Sequence, residues 1–406
     1  MNSELRDLFV ATTPGLEPIT RDEIRQLLPT VPLHVEPGGI ALSGSLGHAF
    51  SLNLQLRTAS RVLLRLARFR AAHFSELERH ARSVPWHEVA AEGRGLEFAI
   101  TSRKSRLYHT GAIAERLATA ARRAIPGMPE PAAPPLRSST DPAGIPPVAV
   151  DPAAPTRIVV RIVRDRVTIS ADTSGEHLHV RGPRVATGIA PLRETIAAAL
   201  LLASGWDRTS PLLDPMCGSG TIALEAAAMA RDRAAGIARP FALEQWPGFD
   251  TAAATALRDE ARGREHDASA PILATDHAVA AVQMARANAV SAGVDETIDF
   301  AVAAIGALDP DHTQRRRGAP PREDPQGGFI VTNPPWGLRL GDESSLQNLY
   351  AALGRLAVAP NLAVSVPQWR LALITPSARL ATAADPGLDC RFEFRQGGVN
   401  LGLWVR

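Results

Sequence analysis

Cysteine occurs only twice in 406 residues, at Cys217 and Cys390. Two thiols exclude a disulfide framework and any zinc site built on four cysteines, and they fit a reducing compartment. Lysine occurs once, at Lys104. The basic charge is therefore almost all arginine, whose planar fork grips phosphate. No run approaches the roughly 18 uncharged apolar residues that a bilayer span needs. The start, MNSELRDLFV, carries acids early and lacks the long apolar run and small-residue cleavage site of a secretory leader. The expectation is a cytoplasmic protein with no membrane span. No metal is expected either.

What is present suits a folded chain. Hydrophobic residues make up 45% and charged residues 21%, enough for more than one core, and the length suggests two or three domains. The net charge of +2 conceals an asymmetry: residues 1–190 hold 24 basic and 18 acidic side chains, residues 191–406 hold 20 and 24. The front half leans towards an anionic partner.

Along the chain, residues 1–56 read as small α+β, with a strand at Leu8–Thr12, a helix from Leu16 to Leu28, a strand at Gly38–Leu42 and a helix at His48–Leu56. Residues 57–184 continue in the same style and end on two strands around Arg164-Asp165, the mark of a hairpin. Within them, ten of the 30 residues of Pro126–Pro155 are proline, a density that no packed element survives, so this is a flexible insertion. Arg57, Arg61, Arg65 and Arg68 would share a phosphate-binding face if helical; if Val62–Phe69 is a strand, the stripe breaks up. From residue 190 to 406 strands alternate with helices, which implies a parallel sheet with crossovers. Arg258–Ala270 and Asp309–Gly328 read as surface loops.

Two motifs carry chemistry. In LLDPMCGSGT (212–221) an apolar strand ends at Asp214, a glycine turn follows, and a helix opens near Thr221. Gly218 and Gly220 let backbone approach a ligand, and the helix N-terminus presents free N–H groups. A phosphate-binding lysine is missing, and an acid before the glycines would repel a pyrophosphate but accept bonds from an ammonium group. A second acid, Asp276, ends the next strand, ILATD, where a carboxylate would hold ribose hydroxyls; alternatively it caps the following helix. In FIVTNPPWG (329–337) a strand delivers Asn333 to its carboxyl end. Pro334 and Pro335 stiffen the corner and remove donors, leaving acceptors beside the flat face of Trp336. Such a corner suits a planar amine, held by acceptors while its ring stacks.

DPMCGSGT, the acid-ended second strand and NPPW resemble the amino-methylating S-adenosylmethionine-dependent methyltransferases. Three further runs narrow the match: LFVATTPGLEPITRDEI at the start, LRTASRVLLRL at 56–66, and RGPRVATGIAPLRETIAAALLLASGW at 181–206. Together they are similar to THUMP-domain RNA guanine-N2 methyltransferases. The resemblance implies an α/β chain with a ferredoxin-like segment at 1–56, a THUMP RNA-binding domain at 57–184 and a Rossmann-like methyltransferase domain of mostly parallel sheet at 190–406. It further implies S-adenosylmethionine as cofactor, held by Asp214, Pro215, Cys217, Gly218, Ser219, Gly220, Thr221 and Asp276. Asn333, Pro334, Pro335 and Trp336 would hold the target base, and structured RNA, tRNA or ribosomal RNA, would be the partner. The sequence departs from the family at two places in the site. The acid that usually meets adenine falls on Ala304, which leaves Asp309 or a backbone carbonyl for that task, and the usual NPPY or NPPF is NPPW.

The implied reaction is an in-line displacement in which the protein mainly positions the reactants. It calls for no histidine base; His277 follows Asp276 and is expected to face solvent. Competing readings are an adenine-N6 methyltransferase acting on DNA or RNA, and a non-catalytic RNA-binding protein with a vestigial fold.

Overall fold

The computed structural model describes residues 4–129, 154–182, 192–308, 327–337, 343–357 and 369–406. Most of the proline-rich insertion at 126–155 and of the loop at 309–328, with Asp309, lies outside the described residues, as do Pro183 and Arg184 of the RGPR run.

The first half builds one seven-stranded sheet in the order β2-β3-β1-β4-β7-β6-β5. Its strands are β1 (Arg6–Thr12), β2 (Leu33–Glu36), β3 (Gly39–Gly44), β4 (Ala59–Arg70), β5 (Leu96–Arg103), β6 (Thr156–Val163) and β7 (Arg166–Asp172). Four helices pack on it: α1 (Glu17–Leu27), α2 (Leu46–Gln55), α3 (Phe74–Ala81) and α4 (Thr110–Ala124). A reciprocal cap starts α2, in which the Ser45 hydroxyl accepts from the His48 amide and the His48 ring from the Ser45 amide, both at 3.2 Å. The long strand β4 pairs with β1 on one side and with β7 on the other. The expected division at residues 56 and 57 therefore falls just before a strand that both segments share.

The arginine stripe dissolves in β4. Arg61 is buried against Asp172, Arg65 donates to Glu36 at 2.6 Å, and Arg57 is enclosed by Glu225 and the Arg233 carbonyl. Only Arg68 of the four is exposed, 3.9 Å from the carboxylates of Asp7 and Glu36.

The second sheet runs β10-β9-β8-β11-β12-β14-β13. Its strands are β8 (Leu212–Asp214), β9 (Ile272–Asp276), β10 (Ile298–Val302), β11 (Phe329–Thr332), β12 (Arg370–Thr375), β13 (Asp389–Gln396) and β14 (Val399–Val405). The first five in spatial order are parallel; β14 and β13 add an antiparallel hairpin at the edge. Strands β8 and β9 are buried throughout, as expected where helices cover both faces. Those helices are α5 (Glu194–Ser204), α6 (Thr221–Ala230), α8 (Val279–Ala292), α9 (Glu343–Ala357) and α10 (Ala378–Ala384); α7 (Thr251–Arg264) packs instead on α2, with Ala254 and Ala261 in the core of the first sheet.

Helix α7 corrects the surface-loop reading of Arg258–Ala270. Only Ala254 and Ala261 are buried on it, so it has no apolar stripe to betray it. Alanine content, a cap from Asp250 to the Ala253 amide at 2.9 Å, and ion pairs Arg262–Asp259 and Arg264–Glu260 hold it instead.

The two sheets share packing. Leu16 and Ile19, at the start of α1, are buried in the core of the second sheet with Leu200, Leu401 and Phe394. A Cβ on Gly15 would lie 1.8 Å from the Glu393 carbonyl oxygen. Arg181 donates to Glu225 at 2.9 Å and to the Leu178 carbonyl at 2.7 Å, closing the same seam.

Candidate active site

Strand β8 is hydrogen-bonded to β9 on one side and β11 on the other, the point from which the chain winds both ways. Ligands of such sheets bind outside the carboxyl ends of these strands. A cavity of about 800 Å³ opens there, walled by Pro215, Met216, Asp276, His277, Ala303, Ala304, Ile305, Asn333, Pro334, Pro335, Trp336, Gly337 and Leu349.

The glycine loop is tied down from within. The Cys217 amide donates to the Thr275 carbonyl at 2.8 Å, and the Gly220 amide to the Cys217 carbonyl at 2.7 Å. Gly220 has φ +86°, and a Cβ there would stand 2.8 Å from Leu224 Cδ1 and 3.0 Å from Ala285 Cβ, so glycine is required for α6 to approach α8. At Gly218, φ +52°, a Cβ would meet nothing within 4 Å. Cys217 and Thr221 are buried. Burial pushes the Cys217 thiol far above its ordinary range, which makes it a small apolar filler rather than a nucleophile.

The two acids differ. Asp276 faces the cavity; its Oδ2 accepts from the Gly218 amide at 3.1 Å and its Oδ1 from the Ala278 amide at 3.0 Å. The carboxylate is thus aimed by backbone, with lone pairs to spare for a ligand hydroxyl. His277 beside it is solvent-facing, its side chain 81% exposed. Asp214 is 1% exposed and stands behind the cavity wall. Its Oδ1 accepts from the Thr332 hydroxyl at 2.9 Å and the Met216 amide at 3.3 Å. Burial, with the Asp276 charge adding, raises its carboxyl to about 7.

At the NPPW corner, Asn333 Oδ1 is buried and has no hydrogen-bond partner among the described residues. A buried amide oxygen without a donor is costly, and Asn333 is one of the residues that line the cavity. Pro334 is buried and Pro335 exposed. The Pro335 carbonyl accepts from the Tyr350 hydroxyl at 3.3 Å. The Trp336 indole N–H donates to the Ile374 carbonyl at 3.0 Å, which pins a half-buried ring to the end of β12.

The cavity thus unites Pro215 and Asp276 with Asn333, Pro334, Pro335 and Trp336. Asp214, Cys217, Gly220 and Thr221 support it from behind, and Gly218 and Ser219 form the turn into α6. Sequence reasoning missed Thr332, Tyr350 and Leu349. Thr332 left a trace as the one polar residue in FIVT; Tyr350 and Leu349, on α9, left none.

A pattern for the RMKL-like methyltransferase domain matches residues 181–385, and one for the RlmL ferredoxin-like domain matches residues 7–63. The chain belongs to the RMKL-like methyltransferase family. It is 33% identical over 383 residues to ribosomal RNA large subunit methyltransferase K/L of Syntrophotalea carbinolica, covering 92% of this chain and 50% of that protein. The chain spans about half the length of the curated relatives it matches. The structure of SMU.472 complexed with SAH superposes with a TM-score of 0.82 at 25% identity, over 100% of this chain and 98% of the other. A predicted N6-adenine-specific DNA methylase from Listeria monocytogenes str. 4b F2365 gives 0.79 at 28% identity, over 99% and 96%. The ferredoxin-like match at residues 7–63 overlaps the expected ferredoxin-like segment at 1–56 and runs on into β4, and the second sheet has the methyltransferase fold. In this RMKL-like chain, Ala304 and Ile305 give the cavity an apolar wall at the place where the resemblance leads to the expectation of an acid; the Ala303 amide donates to the Asp276 carbonyl at 3.0 Å and holds that wall in place.

Proposed function

We propose that this chain methylates an exocyclic amine of a base in structured RNA, guanine N2 in ribosomal RNA above all, with S-adenosylmethionine as donor. One observation carries the reading: the buried, unpartnered Asn333 Oδ1 beside a cavity that also holds Asp276 and Trp336. The naming of the Syntrophotalea relative supports ribosomal RNA as substrate, and the SAH of the SMU.472 structure supports the cofactor.

The residues fit such a donor. The open side of Gly218 admits backbone approach, and Asp276 offers free lone pairs for ribose hydroxyls. When bound, the cofactor supplies a methyl group on a positively charged sulfur. The chain supplies position. Asn333 Oδ1 accepts an N–H of the base amine, with the Pro334 carbonyl as second acceptor, and both bonds strengthen as positive charge grows on that nitrogen. Trp336 offers its ring as a platform for the base. Asp214 holds Thr332, and so Asn333, in register with the glycine loop. Segment 57–184 serves as the RNA-binding THUMP domain, and the protein works in the cytoplasm. Among the described residues no helix is long and apolar enough to cross a membrane, and no cluster could hold a metal.

Tritiated-methyl transfer to bulk ribosomal RNA and tRNA, followed by nucleoside analysis, tests the reading. N2-methylguanosine is expected. Label in N6-methyladenosine would favour an adenine-N6 methyltransferase acting on RNA, and no incorporation would leave a binding protein or an enzyme acting on DNA.

A further inference from the structure

Four strands of the first sheet end together on cationic residues. In spatial order β4 ends at Arg70, β7 begins at Arg166, β6 leads into Arg164, and β5 ends at Arg103. All four arginines are exposed. Arg70 and Arg166 are direct cross-strand partners, a like-charge placement that destabilises a sheet unless an anion lies between them. The β6–β7 hairpin turns on Arg164 and Asp165, both left-handed at φ +50° and +62°. Asn-Gly would suit that turn better. A long cation kept at a strained position points to a use for its side chain.

The loop after β5 adds Lys104, Arg106 and Tyr108. Tyr108 is 78% exposed and is the only aromatic among the large exposed hydrophobic side chains of the described residues. It is held out by its surroundings: Leu107 beside it is buried, and the Leu107 carbonyl accepts from Ser102 Oγ at 2.6 Å. The Arg106 amide donates to Asp165 Oδ1 at 2.8 Å and the Asp165 amide to Ser105 Oγ at 3.1 Å, which fastens the loop to the hairpin. Asp165, an acid within this cluster, accepts the Arg106 amide on Oδ1 and has Oδ2 4.0 Å from the Arg106 guanidinium, so it offsets Arg106 and leaves the four strand-end arginines to the ligand.

We propose that this end of the first sheet docks an unpaired stretch of RNA, with phosphates on Arg70, Arg103, Arg164 and Arg166 and one base stacked on Tyr108. The inference rests on the RNA reading above. A rigid aromatic within a basic row is the pattern that single strands need, because every base has a face to stack and every linkage a charge. A duplex would use the arginines but leave the ring idle.

Fluorescence anisotropy on the whole chain tests this, with a fluorescein-labelled oligoadenylate and an RNA hairpin as probes. Tyr108→Ala is expected to weaken oligoadenylate binding about tenfold or more, and Tyr108→Phe to restore it. Arg164→Gln is expected to flatten the salt dependence by about 0.7 in slope, one phosphate on a single strand. If the parent binds and Tyr108→Ala binds equally well, the docking face is wrong while the methyl-transfer reading stands. If the arginine changes matter only for the hairpin, the single-strand assignment fails. If the parent binds neither probe, the RNA reading falls with it.

Discussion

The Thr332 hydroxyl donates to the buried Asp214 carboxylate at 2.9 Å, so the last residue of the strand before Asn333 is tied to the last residue of the strand before the glycine loop. The bond joins the two halves of the site, and it sets a pH response. Burial raises the Asp214 carboxyl from an ordinary 3.8 to about 7. Between those values the native state holds a proton that the unfolded chain has released. This contribution is therefore complete below about pH 4 and is lost as pH rises through 7. From pH 5 to 8, stability in urea should fall by about 2–4 kcal/mol more in the parent than in Asp214→Asn. Parallel pH profiles for the two proteins would remove Asp214 as the cause.

Asn333→Ala should lower single-turnover methylation about a hundredfold or more and leave cofactor affinity nearly unchanged. Its acceptor gains strength only as charge develops, so the loss appears in rate rather than in binding. Parental turnover would reduce the NPPW corner to a stiff loop.

Asp276→Ala should weaken S-adenosylmethionine binding by about 2–4 kcal/mol through two lost charge-assisted bonds. Calorimetric titration reads it directly. Because Asp276 also orients the Gly218 amide, Asp276→Asn should recover part of the loss.

Gly220→Ala should cost about 1–3 kcal/mol of stability, from a left-handed residue and a Cβ driven against Leu224 and Ala285. A thermal midpoint within a degree of the parent's would show that α6 and α8 can part without penalty.

Trp336→Phe keeps a ring but discards the indole bond to the Ile374 carbonyl. A looser ring should raise KM for RNA severalfold with a smaller change in kcat, as expected when about 0.5–1.5 kcal/mol of positioning is lost. An unchanged KM would mean that packing alone sets the ring.

The site motifs were legible because each is local: glycines where backbone must turn, prolines where it must stiffen, an acid at a strand end. The same holds for the apolar strands β8, β9 and β11. Arg57 and Arg61 were not legible, since their partners Glu225 and Asp172 lie more than a hundred residues away. Helix α7 hides behind a polar surface, α10 is too short to show a period, and β2 buries too little to alternate. Tyr350 reaches the Pro335 carbonyl from a helix whose placement no spacing reveals.

The shared packing of Leu16 and Ile19 with the second sheet has a bearing on target choice. An RNA-binding module on a free tether would raise the local concentration of substrate and let many nucleotides reach the catalytic corner in turn. Here the strand-end arginines and Asn333 belong to sheets joined by common core residues, so the span between them acts as a gauge. With RNA docked as proposed, a nucleotide would qualify by its distance from the docked strand as much as by its chemistry. Lengthening that span, with neither end altered, would move methylation to a different position on the same RNA.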